Sequence, residues 1–269
     1  MAVIDVDAVP IGHRHEPADG RLTFVFVNAL TGSGAMWEAA IAPALRARGY
    51  GTLTFDLPGQ TESPVAAAHT ITAASLTAAT AGIVRALGPN RPAYVGLSIG
   101  GLFALQAHLA GANAEGFVLV NTLRKADARL AWINDAVVRL ATVGGGRLLR
   151  DVYGPLLFDL DWLSANRAGA LETAPYVGLT PDDADLKLLE AGCSADWDVP
   201  YEQITAPTVV LTGLRDRVFY DEANVASLAA RLPDAVRHDV VDAAHLLPAE
   251  RPNAVINACL SLAGRIGDS

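Results

Sequence analysis

The residues with the clearest chemical potential lie in Gly96-Leu97-Ser98-Ile99-Gly100-Gly101, where a serine sits between two glycines in a G-x-S-x-G pattern. An apolar run, residues 93–97 (AYVGL), precedes it, and a helical pattern over 99–110 follows. A serine on a sharp strand-to-helix turn is held in strained torsions, and side chains at positions 96 and 100 would collide with the crossing backbone. The helix start also supplies free N–H groups that favour developing negative charge. That is the chemistry of a nucleophile.

A serine nucleophile needs a base. Of the six histidines, His13, His15, His69, His108, His238 and His245, only His245 falls in a loop between the last strand and the last helix. His108 lies ten residues into the Ser98 helix, and His238 lies within a strand. The base in turn needs an acid to fix its tautomer and offset its charge. Asp216 ends Thr212-Gly213-Leu214-Arg215-Asp216, directly after the strand at 208–211, whereas Asp239 should point along a strand and Asp242 sits too near His245 in sequence to bridge easily. A tetrahedral oxyanion would take the backbone N–H of Ile99 and that of Leu30, in the loop after the strand at 22–27.

These positions share one logic when the elements are laid out. Apolar strands at 22–27, 51–55, 93–97, 117–120, 208–211 and 237–241 alternate with helical stretches at 36–48, 71–87, 99–110, 223–231 and 248–266. Such alternation predicts an α/β fold, a mostly parallel open sheet flanked by helices. Sites in these sheets form beyond the carboxyl ends of the strands. Residues 3–9 read as a further strand with one solvated face.

The rhythm stops between residues 121 and 200, where the pattern turns helical (130–140 and 186–191) around Gly144-Gly145-Gly146. The expected organisation is a core of 1–120 and 201–269 with a helical cap, 121–200, inserted after the fourth parallel strand. Arg124, Lys125 and Arg129 enter this cap near the pocket mouth and could pair with a substrate carboxylate; a solvated helix start, with Asp127 as partner, is the plainer reading. Trp132 and Trp162 are candidates to line an acyl pocket, and the glycine run is a candidate hinge.

Composition excludes other classes. Twenty Lys+Arg against 29 Asp+Glu leave a net charge of −9, which disfavours nucleic acid because no basic stripe is available to replace phosphate counterions. Two cysteines, Cys193 and Cys259, are too few for a disulfide framework or a zinc site and are expected as buried free thiols. Asp5 and Asp7 stand where a signal peptide would be basic, and the early apolar run is too short to span a bilayer. A cytoplasmic protein with no membrane partner is expected, and its oligomeric state is open.

The chain is similar to the α/β-hydrolase fold superfamily from about residue 20 to 265. The resemblance rests on Asn28-Ala29-Leu30-Thr31-Gly32-Ser33-Gly34, Phe55-Asp56-Leu57-Pro58-Gly59-Gln60-Thr61-Glu62-Ser63, the Ser98 turn, Thr212–Asp216 and Ala244-His245…Glu250-Arg251-Pro252. It implies a Ser-His-Asp mechanism in the chain order Ser98, Asp216, His245, with neither metal nor cofactor and with a mobile cap. Asn28-Ala29 replaces the usual His-Gly, and Gly59-Gln60-Thr61-Glu62-Ser63 replaces Gly-x-Gly-x-Ser. An Asn there is similar to 3-oxoadipate enol-lactonases, as are the Gly-Leu-Ser-Ile-Gly-Gly turn and Leu119-Val120-Asn121-Thr122, and also to acyltransferase-like enzymes that join hydroxyacyl chains. The expected activity is hydrolysis of a small carboxylic ester or lactone through an acyl-enzyme. Carbon–carbon bond hydrolysis, acyl transfer and cofactor-free oxygenase or perhydrolase chemistry reuse the same three residues. A ligand receptor without turnover is the alternative of another class.

Overall fold

The computed structural model describes residues 2–170 and 173–268. The chain opens with a hairpin, β1 (Ala2–Val6) and β2 (Val9–Glu16), followed by β3 (Thr23–Val27) and the short helices α1 (Ala35–Glu38) and α2 (Ile41–Arg46). Then come β4 (Gly51–Phe55), α3 (Ala73–Leu87), β5 (Pro92–Leu97), α4 (Ile99–Leu109) and β6 (Gly116–Val120). A helical insertion follows, α5 (Ala128–Leu157), α6 (Leu160–Ala170) and α7 (Ala184–Cys193). The chain returns to the sheet with β7 (Thr208–Gly213), α8 (Glu222–Ala229), β8 (Ala235–Val240), α9 (Leu247–Glu250) and α10 (Pro252–Ile266).

The eight strands form one sheet in the order β1-β2-β4-β3-β5-β6-β7-β8, and only the pairings of β2, with β1 and with β4, are antiparallel. Strands β3 and β6 are buried throughout and β5 is buried from Ala93 on, and alternate side chains feed opposite layers. Val25, Val27, Tyr94, Phe117 and Leu119 pack with α3 and α4. Phe24, Phe26, Val95, Val118 and Val120 pack with Trp37, Leu45 and the apolar face of α10. Helices on both faces are the reason these strands are predominantly apolar. β3 pairs with β4 on one side and β5 on the other, so the strand order reverses there and a crevice opens at the carboxyl ends.

Residues 3–9 are not one strand. Val6 pairs with Val9, and Asp7 and Ala8 form the two-residue turn with φ of 50° and 65°, the left-handed pair such a hairpin requires. The polar, Pro- and Gly-containing sequence of β2 conceals it as a strand. The glycine run at 144–146 interrupts the long helical stretch of α5 as expected: Gly145, at φ 69° and ψ −171°, has a non-helical backbone and kinks α5 into two helical arms. Cys259 is buried as expected, whereas Cys193 is exposed at the end of α7. Among the described residues no helix is long and apolar enough to cross a membrane.

Candidate functional site

Ser98 joins β5 to α4 with φ 57° and ψ −126°, a conformation that costs an L-residue roughly 1–3 kcal/mol. The two flanking glycines are sterically required. A Cβ on Gly96 would strike the Gly101 backbone, and one on Gly100 would strike the Val27 and Asn28 carbonyls. The Ser98 N–H is held by the Val120 carbonyl at 2.7 Å, which ties the turn to the end of β6.

Asp216 and His245 meet as expected. The His245 imidazole Nδ1 lies 2.6 Å from Asp216 Oδ2, and both side chains are buried. The other carboxylate oxygen accepts the N–H groups of Val218 at 2.9 Å and Phe219 at 3.0 Å. Burial alone would raise the Asp216 pKa, but the His245 charge and hydrogen bond, helped by those two N–H groups, hold it below the ordinary carboxylate value. The competing carboxylates are engaged elsewhere, Asp239 with Arg237 and Asp242 with Arg251.

The loop after β3 is built on a buried polar network that the Asn28 and Gln60 substitutions form together. Asn28 Nδ2 donates to the Phe55 carbonyl and to Gln60 Oε1, each at 2.8 Å, while Trp37 Nε1 donates to Asn28 Oδ1 at 2.7 Å. Gln60 Nε2 donates to the carbonyls of Ala29 at 2.7 Å and Leu30 at 3.0 Å. In a trans peptide the C=O and the next N–H point in opposite directions. Holding the Ala29 carbonyl therefore turns the Leu30 N–H away from Gln60.

Two further residues bind the His245 loop. Asn121, at φ 48°, donates to the carbonyls of Ala244 at 3.0 Å and His245 at 2.8 Å, and accepts the Gly213 N–H at 2.8 Å. Buried Glu250 accepts the N–H groups of Asp159 and Ala244 on one oxygen and that of Leu246 on the other. Both lie in segments that carry the family resemblance, and their types suit these places: Asn is the ordinary non-glycine choice at positive φ, and a charged residue in an apolar helix start is the mark of a buried clamp.

Ser98, His245, Leu30, Ile99 and Arg124 line one cavity of about 180 Å³. Its other walls come from the insertion, including Leu130, Asn134 and Val137 of α5 and Gly192 and Cys193 of α7, together with Trp197 and Phe219. Two expected lining residues are elsewhere. Trp132 is 79% exposed and belongs to a separate open groove with Arg129 and Tyr153. Trp162 stacks on Phe158 with centroids 3.7 Å apart, outside the cavity wall. Leu130, Asn134 and Val137 share a helical face through i, i+4, i+7 spacing, and Trp132 falls on the far side. Trp197, which had no assigned role, is in the cavity. Of the expected basic cluster only Arg124 is buried; Lys125 and Arg129 are exposed.

Arg124 contacts the candidate nucleophile itself. One guanidinium nitrogen donates to Ser98 Oγ at 2.7 Å, and the cation lies 4.2 Å from the Phe219 ring centroid and 4.8 Å from that of Trp197. Burial pushes its pKa down to about 10, partly offset by Asp216 and Tyr201, which leaves it charged at neutral pH. Among the described residues no cluster of three His, Cys, Asp or Glu side chains could hold a metal ion.

A parallel sheet with a helical insertion after its fourth parallel strand, and a strained Ser turn at its switch point, defines a class. The family model for the alpha/beta hydrolase fold matches residues 23–252, and the chain belongs to that family. It is 28% identical over 205 residues to the "Putative carbamate hydrolase RutD" of Variovorax paradoxus (strain S110), covering 75% of this chain and 76% of the relative. Among solved structures it is similar to a thermophilic esterase from Thermogutta terrifontis (TM-score 0.80, 18% identity, 98% of each chain). It is also similar to the enol-lactonase of Burkholderia xenovorans LB400 (TM-score 0.79, 22% identity, 98% of this chain and 100% of that one).

Proposed function

We propose that this chain is a cofactor-free serine hydrolase that cleaves a small carboxylic ester or lactone, with α5–α7 as the lid of its cavity. The observation that carries the reading is His245, paired with Asp216 at 2.6 Å and lining one cavity with the strained Ser98. In this mechanism Ser98 Oγ attacks the carbonyl carbon and its proton passes to His245, whose tautomer Asp216 holds. The oxyanion is received by the N–H groups of Leu30 and Ile99. Collapse breaks the C–O bond, and His245 returns the proton to the leaving oxygen. Water then attacks the acyl-enzyme, gives a proton to His245 and releases the acid, and Ser98 recovers its proton. A carbamate hydrolase, an esterase and an enol-lactonase among its likenesses fit cleavage beside a carbonyl and leave the acyl group open.

The test is direct. Wild-type protein should hydrolyse p-nitrophenyl acetate and be labelled stoichiometrically on Ser98 by a fluorophosphonate. Ser98→Ala should lose both while remaining folded. Wild-type turnover by Ser98→Ala would overturn the assignment, and folded wild-type protein that neither turns over nor labels would favour a receptor.

A further inference from the structure

We propose that Arg124 is a carboxylate receptor that rests as a latch on Ser98 until a substrate carboxylate draws it away; the inference rests on Ser98 being the nucleophile. A guanidinium taken out of water ordinarily has a carboxylate partner. Arg124 is buried, yet among the described residues it forms no ion pair, and its Nε is without a hydrogen-bond partner. Its polar contacts are Ser98 Oγ at 2.7 Å and the Asn121 carbonyl at 3.3 Å. The faces of Phe219 and Trp197 flank it, and Asp216 and Tyr201 lie near enough to act on its charge without bonding to it. The nearby Asp216 carboxylate is committed to His245 and to the Val218 and Phe219 N–H groups, so a directly bonded carboxylate partner for this cation must come from the cavity.

The chemistry of that partner follows from the site. The cavity is lined mainly by apolar side chains and carries one guanidinium. A single carboxylate on a short carbon stem matches both; a phosphate dianion would leave uncompensated charge against apolar walls. Because the guanidinium already touches Ser98 Oγ, the carboxylate must lie only a few bonds from the carbonyl that Ser98 attacks. A half-ester or lactone of a short dicarboxylic acid meets this requirement.

The resting contact also has a consequence for reactivity. Hydrogen-bond donation from a cation occupies a lone pair of Ser98 Oγ and holds the guanidinium against the nucleophilic oxygen. Among the described residues no hydrogen bond joins Ser98 to His245. When the guanidinium turns to a substrate carboxylate, that lone pair is released and the hydroxyl is free to align with the imidazole. Phe219 packs on both groups, 4.2 Å from the Arg124 guanidinium and 4.9 Å from the His245 ring. Movement of the cation is therefore felt at the base.

The experiment compares monoethyl succinate with ethyl butyrate, which replaces the carboxylate by a methyl group. Wild-type protein should favour the half-ester by about tenfold or more in kcat/KM. Arg124→Met should abolish the preference and raise turnover of ethyl butyrate, because the nucleophile is no longer engaged. Arg124→Lys should retain part of the preference, and it supplies the comparison if the Met variant does not fold. Calorimetry with Ser98→Ala should detect binding of monoethyl succinate that the additional Arg124→Met change removes, and no binding of inorganic phosphate. This arm reads the receptor even without turnover, so its failure is separable from failure of the hydrolase reading. Equal kcat/KM for the two esters in wild type would overturn the proposal. So would a parallel loss of both esters in Arg124→Met with Ser98 still labelled by fluorophosphonate, or half-ester binding that survives Arg124→Met.

Discussion

The side-chain amide of Asn121 donates a 2.8 Å hydrogen bond to the backbone carbonyl of His245, while its oxygen accepts the Gly213 N–H at 2.8 Å. One residue at the end of β6 thus spans the loops that carry the proposed acid and the proposed base. Asn121→Ala leaves a Gly213 N–H and two carbonyls without their partner, at a cost of about 1–3 kcal/mol for each buried group left unpaired. We expect a lower denaturation midpoint and a fall in kcat of one to two orders of magnitude with little change in KM. Asn121→Gly removes the same bonds but suits the φ of 48°. It should be more stable than Asn121→Ala and equally impaired in kcat. If the glycine variant recovers activity, backbone strain and not the bridge is what Asn121 contributes.

Gln60 sets the orientation of the Leu30 N–H through its bonds to the Ala29 and Leu30 carbonyls. Gln60→Glu keeps an acceptor for Asn28 and for the Leu57 N–H, at 2.9 Å, but turns a second acceptor toward two carbonyls. The Ala29–Leu30 peptide should rotate. Loss of one oxyanion donor costs on the order of 3 kcal/mol in the transition state, so kcat should drop about a hundredfold. Fluorophosphonate labelling should slow as well, because the tetrahedral phosphoryl oxygen uses the same donors. Unchanged kcat in a folded Gln60→Glu protein would remove Gln60 from this role.

Ser98, Asp216 and His245 were readable because each follows a β-rich run, and strand ends of a parallel sheet face one side. The Gly96 and Gly100 requirement was readable for the same reason, since it depends on a local turn. Arg124 was placed at the pocket mouth by sequence position, but its descent onto Ser98 depends on how residues 121–127 cross the sheet edge. Trp132 lies outside the cavity because helical phase, and not aromatic type, decides which residues of α5 face inward. The i, i+4, i+7 face of Leu130, Asn134 and Val137 carried the information. Asn121, Gln60 and Glu250 lie in segments that carry the family resemblance, but their bonds to the Gly213 N–H, the Ala29 and Leu30 carbonyls and the Asp159 N–H join places far apart in sequence, so the partners are not legible there. β2, which lies between β1 and β4, is hard to read as a strand because Pro10, Gly12 and its charged residues obscure the alternation.

Glu250 holds the His245 loop from beneath. Burial pushes its pKa up against the pull of three N–H donors, those of Ala244, Asp159 and Leu246. Glu250→Ala orphans all three and should lower stability by about 3 kcal/mol or more. Because Asp159 joins the insertion to the core through Arg215, the same change should loosen the α5–α6 junction. Hydrogen exchange should rise at Ala244, Leu246 and Asp159 together. Glu250→Gln keeps one acceptor oxygen, so its loss should be smaller, and exchange should rise at fewer of these amides. Independent changes at the three amides would show that Glu250 does not couple them.

Asp216 makes stability depend on pH in a definite direction. Its folded pKa is depressed below the unfolded value of about 3.9. Above that value both states are ionised, and the full contribution of the carboxylate is present. As pH falls through the depressed folded value, the native carboxylate takes up a proton and the contribution is lost. Asp216→Asn carries no charge at any pH. The stability gap between wild type and Asp216→Asn, read from urea denaturation, should therefore be constant near neutrality and on the order of 2 kcal/mol. It should begin to close below about pH 4 and be smallest once the native carboxylate is protonated. In parallel, Asp216→Asn should lose on the order of 10⁴-fold in kcat at neutral pH, since an amide presents the imidazole with the wrong tautomer. A gap that widens on acidification would mean that the carboxylate is destabilising where it lies. In that case the 2.6 Å contact with His245 would not be the favourable ion pair and hydrogen bond that the depressed pKa requires.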